Sequence, residues 1–426
     1  MKSSNQLINL AKDIFPGSNN GNPTSDMIMS KAVGSKIWDI NGNEYIDYLL
    51  GSGPMVIGHS HPKVVEAVSN QLSSGSTFFA LNELSIELGQ AIIDAVPCAE
   101  QIRYVTSGTE ATLYAMRAVR AFTGKEKILK FEGGYHGMND YSLMSLMPKT
   151  EVEYPVPSID SAGIPTAIKN EVLIAPFNDF ETTESIINEF KEEIAGVIIE
   201  PFQRVIKPKP GFLESIRDIT NKHKIPLIFD EIVTGFRFAY GGAQEYYNVV
   251  PDLCTLGKIV AGGYPMAAIV GKKNMMDVFN QKSDSISPSL VQIGTLSGNP
   301  IACAAGLATL NVLRTENPYE KLFETGYFLQ NSLKQIFSSH EIPAQVIGDG
   351  PVFDVYFCSN EISNYRDTMK ANKSILNSLN SNLIDLGVFK GDTKYYVSTV
   401  HDAADIEKTV LAFEVAIGKL KEQHGI

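Results

Sequence analysis

The chain has 426 residues, 44% of them hydrophobic, and a formal net charge of -12. That length exceeds one small core and suits a large domain with a smaller one, while the acidic balance and the scattered Lys and Arg argue against nucleic acid as the main partner. No apolar run is long enough to cross a bilayer, and Met1-Lys2-Ser3-Ser4-Asn5-Gln6 has no signal-peptide core, so the cytoplasm is the expected compartment.

In chain order, Lys36–Ile40 and Glu44–Tyr48 flank Asn41-Gly42, and this pattern predicts a hairpin closed by a type I′ turn. From about residue 85 to 300, short apolar segments alternate with helical patterns. Strands are expected at Gln101–Thr106, Lys127–Phe131, Ile194–Ile199, Leu227–Phe229, Leu253–Leu256 and Ala267–Val270, with helices such as Glu110–Phe122 and Phe212–His223 between them. This alternation predicts an α/β fold built on a mostly parallel sheet. A long helix is expected over Ile301–Arg314, followed by smaller-scale alternation with strands at Val352–Phe357 and Tyr395–Val400. The expected organisation is an N-terminal segment 1–60 packing with the small domain, a large domain 61–305 and a small C-terminal α/β domain 306–426.

Two segments carry the most chemistry. Leu227-Ile228-Phe229-Asp230-Glu231 reads as a buried strand that delivers a carboxylate to a sheet edge, and Glu231 also suits a helix start facing solvent. Lys258 follows 28 residues after Asp230 and ends the apolar run from Asp252 to Gly257. A lysine with so little polar company is partly desolvated, which lowers its pKa and frees the amine for Schiff-base chemistry. An acid and such a lysine at neighbouring strand ends suit pyridoxal 5'-phosphate: the lysine carries the aldehyde and the acid keeps the pyridine nitrogen protonated.

The other motifs are weaker one by one. Thr106-Ser107-Gly108-Thr109-Glu110 joins a strand to a helix, a junction whose N–H groups and dipole favour an anion, although Ser107 and Glu110 also match a capping box. Phe131-Glu132-Gly133-Gly134-Tyr135-His136-Gly137 offers close backbone approach, a flat ring at Tyr135 and an imidazole at His136 suited to proton transfer. Glu200 ends the strand Ile194–Ile199 on the same edge as Asp230, and Thr295 sits in the small polar loop Gly294–Pro300. His59-x-His61 has no further ligand nearby, the four cysteines (Cys98, Cys254, Cys303, Cys358) have no metal-like spacing, and no metal is expected. Neither a dinucleotide nor a P-loop fingerprint is present.

Taken together and in register, these segments resemble the class III (subgroup II) pyridoxal-phosphate aminotransferases of fold type I, and within them the glutamate-1-semialdehyde aminomutases. The likeness spans nearly the whole chain and rests on Ser107–Ala111, Gly134–Gly137, Asp230–Arg237, Ala239–Glu245, Thr255–Lys258 and Gly294–Pro300. It implies that Lys258 forms the Schiff base and shuttles the proton, that Asp230 pairs with the pyridine nitrogen, and that Val233 and Tyr135 cover the two ring faces. It also implies that Ser107, Gly108 and Thr109 hold the phosphate and that Thr295 reaches the phosphate of the neighbouring subunit, so the partner is a second copy of the chain.

The departures from that family concern the substrate. The aminomutases carry an Arg after a Pro in the N-terminal loop, where this chain reads Gly21-Asn22-Pro23-Thr24. They carry a Trp before the Gly-Pro that follows the hairpin, where this chain has Ser52, and a Glu in a C-terminal loop, where it has Thr393. Losing a bidentate carboxylate-binding Arg is not a silent change. A cation that replaces it is expected among Arg204, Arg237, Lys390 and Lys394, with Arg204 favoured because it lies just past Glu200 on the catalytic edge. The sequence therefore points to an aminotransferase acting between an amino-acid donor, such as glutamate or alanine, and a bulky carbonyl acceptor (of an amine, amino-ketone or β-amino acid class). An aminomutase is the alternative, and a non-catalytic cofactor-binding protein a distant one.

Overall fold

The structure, a computed structural model, describes residues 3–22, 27–281, 289–392 and 394–425. The chain forms two units. The larger holds Lys63–Tyr319 and Ile362–Met369; the smaller holds Met1–Pro62, Glu320–Glu361 and Lys370–Ile426.

Among the described residues the smaller unit contains two sheets. The first has β1 (Met29–Val33), β2 (Lys36–Asp39) and β3 (Glu44–Asp47) in antiparallel order, with β13 (Val388–Phe389) added parallel to β3. The turn between β2 and β3 is not type I′. Gly42 alone is left-handed (φ 86), Gly42 N–H donates to Asp39 O, and the Asp39 carboxylate accepts from Asn41 N–H and Asn43 N–H. The Asp39 side chain thus supplies the turn that Asn41 was expected to make with a positive φ. The second sheet has β11 (Gln345–Asp349), β12 (Val352–Tyr356) and β14 (Tyr395–Tyr396). β14 ends before the expected Val400 because Val397 N–H turns to Pro351 O and Thr399 N–H to Val56 O.

The larger unit is built on a seven-stranded sheet. Its strands are β4 (Gln101–Val105), β5 (Lys127–Phe131), β6 (Val172–Ala175), β7 (Ile194–Ile199), β8 (Leu227–Glu231), β9 (Leu253–Leu256) and β10 (Ala267–Gly271), in the order β4-β10-β9-β8-β7-β5-β6. All neighbours are parallel except β10, which is antiparallel to both β4 and β9. β6 was absent from the expected strands, because four apolar residues in a row, Val172-Leu173-Ile174-Ala175, do not distinguish a buried strand from a buried helix turn.

The helix Gly108–Thr123 opens on the Ser107 cap and closes on left-handed Gly124. It buries Ala111, Ala115, Met116, Ala118 and Val119. Glycine at 196 in β7 lets Val119 settle on the sheet, since a Cβ there would lie 2.7 Å from Val119 Cγ2. The helix Pro300–Glu316 stays wholly in the larger unit, so the expected junction at 305–306 falls inside it. Its Gly306 meets Val260 O so closely that a Cβ would stand at 2.4 Å, which ties the helix to the turn after Lys258. No helix among the described residues is long and apolar enough to cross a membrane.

Candidate active site

The parallel strands deliver their C-terminal ends to one edge, where ligands of open α/β sheets collect. At that edge β8 ends in Asp230 and Glu231, β7 runs into Glu200, β5 into Glu132, and β9 into Gly257-Lys258.

Asp230 is buried and fully engaged. His136 Nδ1 stands 2.8 Å from its Oδ2, and Oδ1 accepts from Thr255 Oγ1 (3.0 Å) and Ile232 N–H (3.2 Å). His136 is buried too, and its carbonyl accepts from the hydroxyls of Thr112 (2.6 Å) and Ser142 (2.7 Å). The imidazole therefore orients the carboxylate and is itself fixed by the chain. Thr255 was quoted in the sequence motif but given no role. The parallel register, which pairs Asp230 with Thr255, is the signal that reveals it.

Lys258 begins a short 3-10 turn in a left-handed conformation (φ 50). Burial holds its amine below the ordinary lysine range. The nearby Arg237 and Arg204 push the same way, while Asp230 and Glu200 oppose them. Lys258 thus lies in the field of four of the charged side chains singled out from the sequence.

Glu200 is buried and its carboxylate accepts Tyr135 N–H at 2.9 Å. The guanidinium of Arg204 lies 5.3 Å from the centre of the Tyr135 ring, and no carboxylate among the described residues pairs with it. The other cations behave differently. Arg237 is fully buried and donates to Val233 O (3.0 Å). Lys390, in the smaller unit, is buried against Asp354 at 2.7 Å and is already neutralised. Lys394, also in that unit, is buried. Ser52, in the same unit, is exposed within the left-handed run Leu50–Gly53. Thr393, Pro23 and Thr24 lie outside the described residues.

The helix start is capped, and part of its N–H set stays open. Ser107 Oγ accepts from Glu110 N–H (3.2 Å), and Glu110 takes the N–H groups of Thr106 and Ser107. The next two N–H groups, on Gly108 and Thr109, meet no acceptor among the described residues. Gly137 (φ 86) lets the His136 loop lie against Thr109, since a Cβ there would stand 2.6 Å from Thr109 Oγ1. Ile232 fills the notch left by Gly108 and Gly257, where added Cβ atoms would lie 3.3 Å and 2.9 Å away.

Glu231 does not face solvent. Its buried carboxyl accepts from Thr234, Ala243 and Gln244, and burial raises its pKa against those bonds. It ties the segment after β8 to the Gly242 turn and is structural. Thr295 is exposed on a loop that Arg103 holds through Gln292 (2.6 Å).

Residues 17–419 match the aminotransferase class-III family. The chain belongs to that family. It is 38% identical to a glutamate-1-semialdehyde 2,1-aminomutase of Methanosphaera stadtmanae over 99% of both chains. Its fold is similar to that of an omega-transaminase from Sphaerobacter thermophilus (TM-score 0.92, 30% identity, 99% of this chain and 98% of that one). It is also similar to a β-phenylalanine aminotransferase from Variovorax paradoxus (TM-score 0.88, 27% identity, 99% and 94%).

As a class III enzyme of fold type I, the protein uses pyridoxal 5'-phosphate. The donor set fits that group. A desolvated amine at Lys258 suits the aldehyde, a buried and oriented carboxylate at Asp230 suits the ring nitrogen, and open N–H groups at Gly108 and Thr109 suit the phosphate.

Proposed function

We propose that this class III enzyme is a homodimeric, cytoplasmic aminotransferase. It moves an amino group from an amino-acid donor such as glutamate or alanine to a bulky carbonyl acceptor of the amine, amino-ketone or β-amino acid class. The observation that carries this reading is Arg204, whose guanidinium lies over Tyr135, without a carboxylate partner among the described residues, in the electrostatic reach of Lys258. A planar fork of donors there suits the carboxylate of an external donor.

Bound pyridoxal phosphate supplies an aldehyde that captures amines and a pyridinium ring that accepts electron density from the substrate carbon. The chain does the rest. Asp230 keeps the proton on the ring nitrogen, and His136 and Thr255 hold Asp230 in place. Lys258, whose amine burial holds below the ordinary lysine range and so more readily neutral, would accept the proton from the amine-bearing carbon at Nζ and return it. Tyr135 and Val233 cover the ring faces, and Ser107, Gly108 and Thr109 hold the phosphate. Glu200 fixes the Tyr135 backbone.

The dimer rests on Thr295. It is exposed, and its loop also exposes Val291 (63%) and Ile293 (69%), apolar side chains that a second subunit would remove from water. Thr295 then reaches the phosphate held by the neighbouring subunit.

A second reading has the named relative in its favour: an aminomutase acting on glutamate-1-semialdehyde without an external donor. Against it stand Ser52 and the sequence of the two loops at Pro23 and Thr393, which lack the Trp, Arg and Glu of that subfamily. The test supplies glutamate-1-semialdehyde alone and assays 5-aminolevulinate, beside a donor–acceptor screen that follows cofactor absorbance. The aminotransferase reading expects little 5-aminolevulinate and efficient exchange with a keto acid. Efficient donor-free conversion overturns it.

A further inference from the structure

Glu132 has no part in the chemistry above, yet it stands three residues before Tyr135 and is only 4% exposed. Its carboxylate receives Arg366 Nε at 2.8 Å, Arg366 Nη2 at 3.2 Å and the Tyr154 hydroxyl at 2.6 Å. Arg366 also covers the Tyr154 ring (4.2 Å to its centre) and donates to Val152 O (2.7 Å) and Glu151 Oε2 (3.3 Å). A bidentate guanidinium–carboxylate pair of this kind fixes direction as well as distance.

The neighbouring residue presses on the same loop. Tyr365 lies against the backbone of Gly133, which has φ 79, so that a Cβ at Gly133 would stand 2.4 Å from the ring. Ser363 O takes the Asn178 side-chain amide at 2.9 Å. These contacts explain why Ile362–Met369 belongs to the larger unit although the chain on both sides belongs to the smaller. The loop they grip continues into Tyr135, whose N–H meets Glu200, and His136, which meets Asp230. Glu132 O also accepts from the Gln203 side chain (2.8 Å), the residue before Arg204.

We propose that Tyr365 and Arg366 form a clamp on the loop Glu132–His136, and that Arg366 is a positioning residue for the Tyr135 ring and, through Gln203, for Arg204. The clamp rests on the assignment of Tyr135 to a face of the cofactor only for its effect on binding, not for its existence.

Two measurements separate those parts. Hydrogen exchange of the peptide spanning residues 132–138 reads the clamp itself, with or without cofactor. In Arg366→Gln its exchange should rise by about ten-fold while the β8 peptide 227–231 stays protected. Pyridoxal phosphate dissociation and the visible circular dichroism of the bound cofactor read the consequence. Arg366→Gln should weaken retention by about ten-fold and at least halve the dichroic band, and Arg366→Lys should not restore either, because an ammonium lacks the fork. In the Tyr135→Leu background the same substitution should add less than about two-fold, since contacting residues are not additive. Should Arg366→Gln not fold, the pair Glu132→Gln with Arg366→Met leaves no unpaired buried charge and takes its place. Unchanged exchange at 132–138, or an equal loss of cofactor in both backgrounds, overturns the proposal. A wild-type protein that retains no pyridoxal phosphate while the exchange behaves as stated refutes the cofactor assignment of Tyr135 instead.

Discussion

His136 Nδ1 and Asp230 Oδ2 are 2.8 Å apart, and both side chains are buried. The contact gives one carboxylate oxygen a defined partner while Thr255 and Ile232 N–H hold the other. Charge-assisted bonds in such a dry setting orient the acid without help from water. Asp230→Asn keeps the shape and the Thr255 contact but removes the negative charge proposed to retain the ring proton. Turnover should fall by about 10³-fold, measured in a single half-reaction, while cofactor stays bound. Near-normal turnover would remove Asp230 from this role.

Lys258 sits in a left-handed conformation at the mouth of the sheet, with its amine held below the ordinary lysine range by burial. Lys258→Ala should leave the fold intact and abolish turnover. Borohydride treatment should no longer fix cofactor to the chain, as read by intact mass. Cofactor still fixed covalently in that variant would assign the anchor to another lysine.

The sheet edge where the candidate residues gather was legible because apolar runs such as Leu227–Phe229 end abruptly in charged residues, and the structure puts those ends on one side of one sheet. The turn at Asn41-Gly42 was misread because Asp39 supplies the turn-forming hydrogen bonds from its side chain, which the dipeptide does not reveal. Lys390 read as a candidate cation for a substrate carboxylate, but its partner Asp354 lies on β12, and a pairing 36 residues away leaves no local signal. The same holds for Arg366 and Glu132, which are 234 residues apart. Local pattern reports which residue ends a strand; only tertiary pairing reports which charge remains available.

Thr295 is exposed and lies in a loop anchored to β4 through Arg103 and Gln292. If it completes a neighbour's phosphate site, the protein is a dimer or a multiple of one, and dilution to monomer releases cofactor. Thr295→Ala should leave the assembly in place and weaken pyridoxal phosphate binding by about ten-fold, the loss of one hydrogen bond to a charged group. Light scattering beside cofactor fluorescence reads both. A stable monomer with full cofactor occupancy contradicts the shared site.

His401 is buried in the smaller unit, stacked on Tyr48 with ring centres 4.5 Å apart, and accepts Ser398 N–H at Nδ1. Burial pushes its pKa down to about 4. The folded chain therefore binds fewer protons here than the unfolded chain between pH 6.5 and about 4, so stability falls as the pH drops through that window. The whole contribution is about 3 kcal/mol, present above pH 6.5 and lost below pH 4. His401→Asn, which keeps an acceptor for Ser398, should flatten this part of the acid limb in urea midpoints measured from pH 4 to 7. An unchanged slope would show that His401 does not set it.

Arg204 decides the substrate reading. Its guanidinium lies over Tyr135 and faces no carboxylate among the described residues, whereas Lys390 is neutralised by Asp354 and Arg237 is buried on Val233 O. A cation left unpaired beside the reacting groups is available to a substrate acid. If it binds the donor carboxylate, Arg204→Gln should raise KM for glutamate or alanine by about 10- to 100-fold, the worth of a charge-assisted bidentate contact. The effect should fall on carboxylated donors and spare amines of similar size that lack the acid, so the preference between the two should collapse. Arg204→Lys should recover only part of it, because an ammonium cannot grip both oxygens in one plane. A purely structural Arg204, stacked on Tyr135 and nothing more, would lower activity toward both kinds of donor by the same factor. Equal losses on the two donors would therefore return the carboxylate site to the unassigned, and with it the argument for an external amino-acid donor.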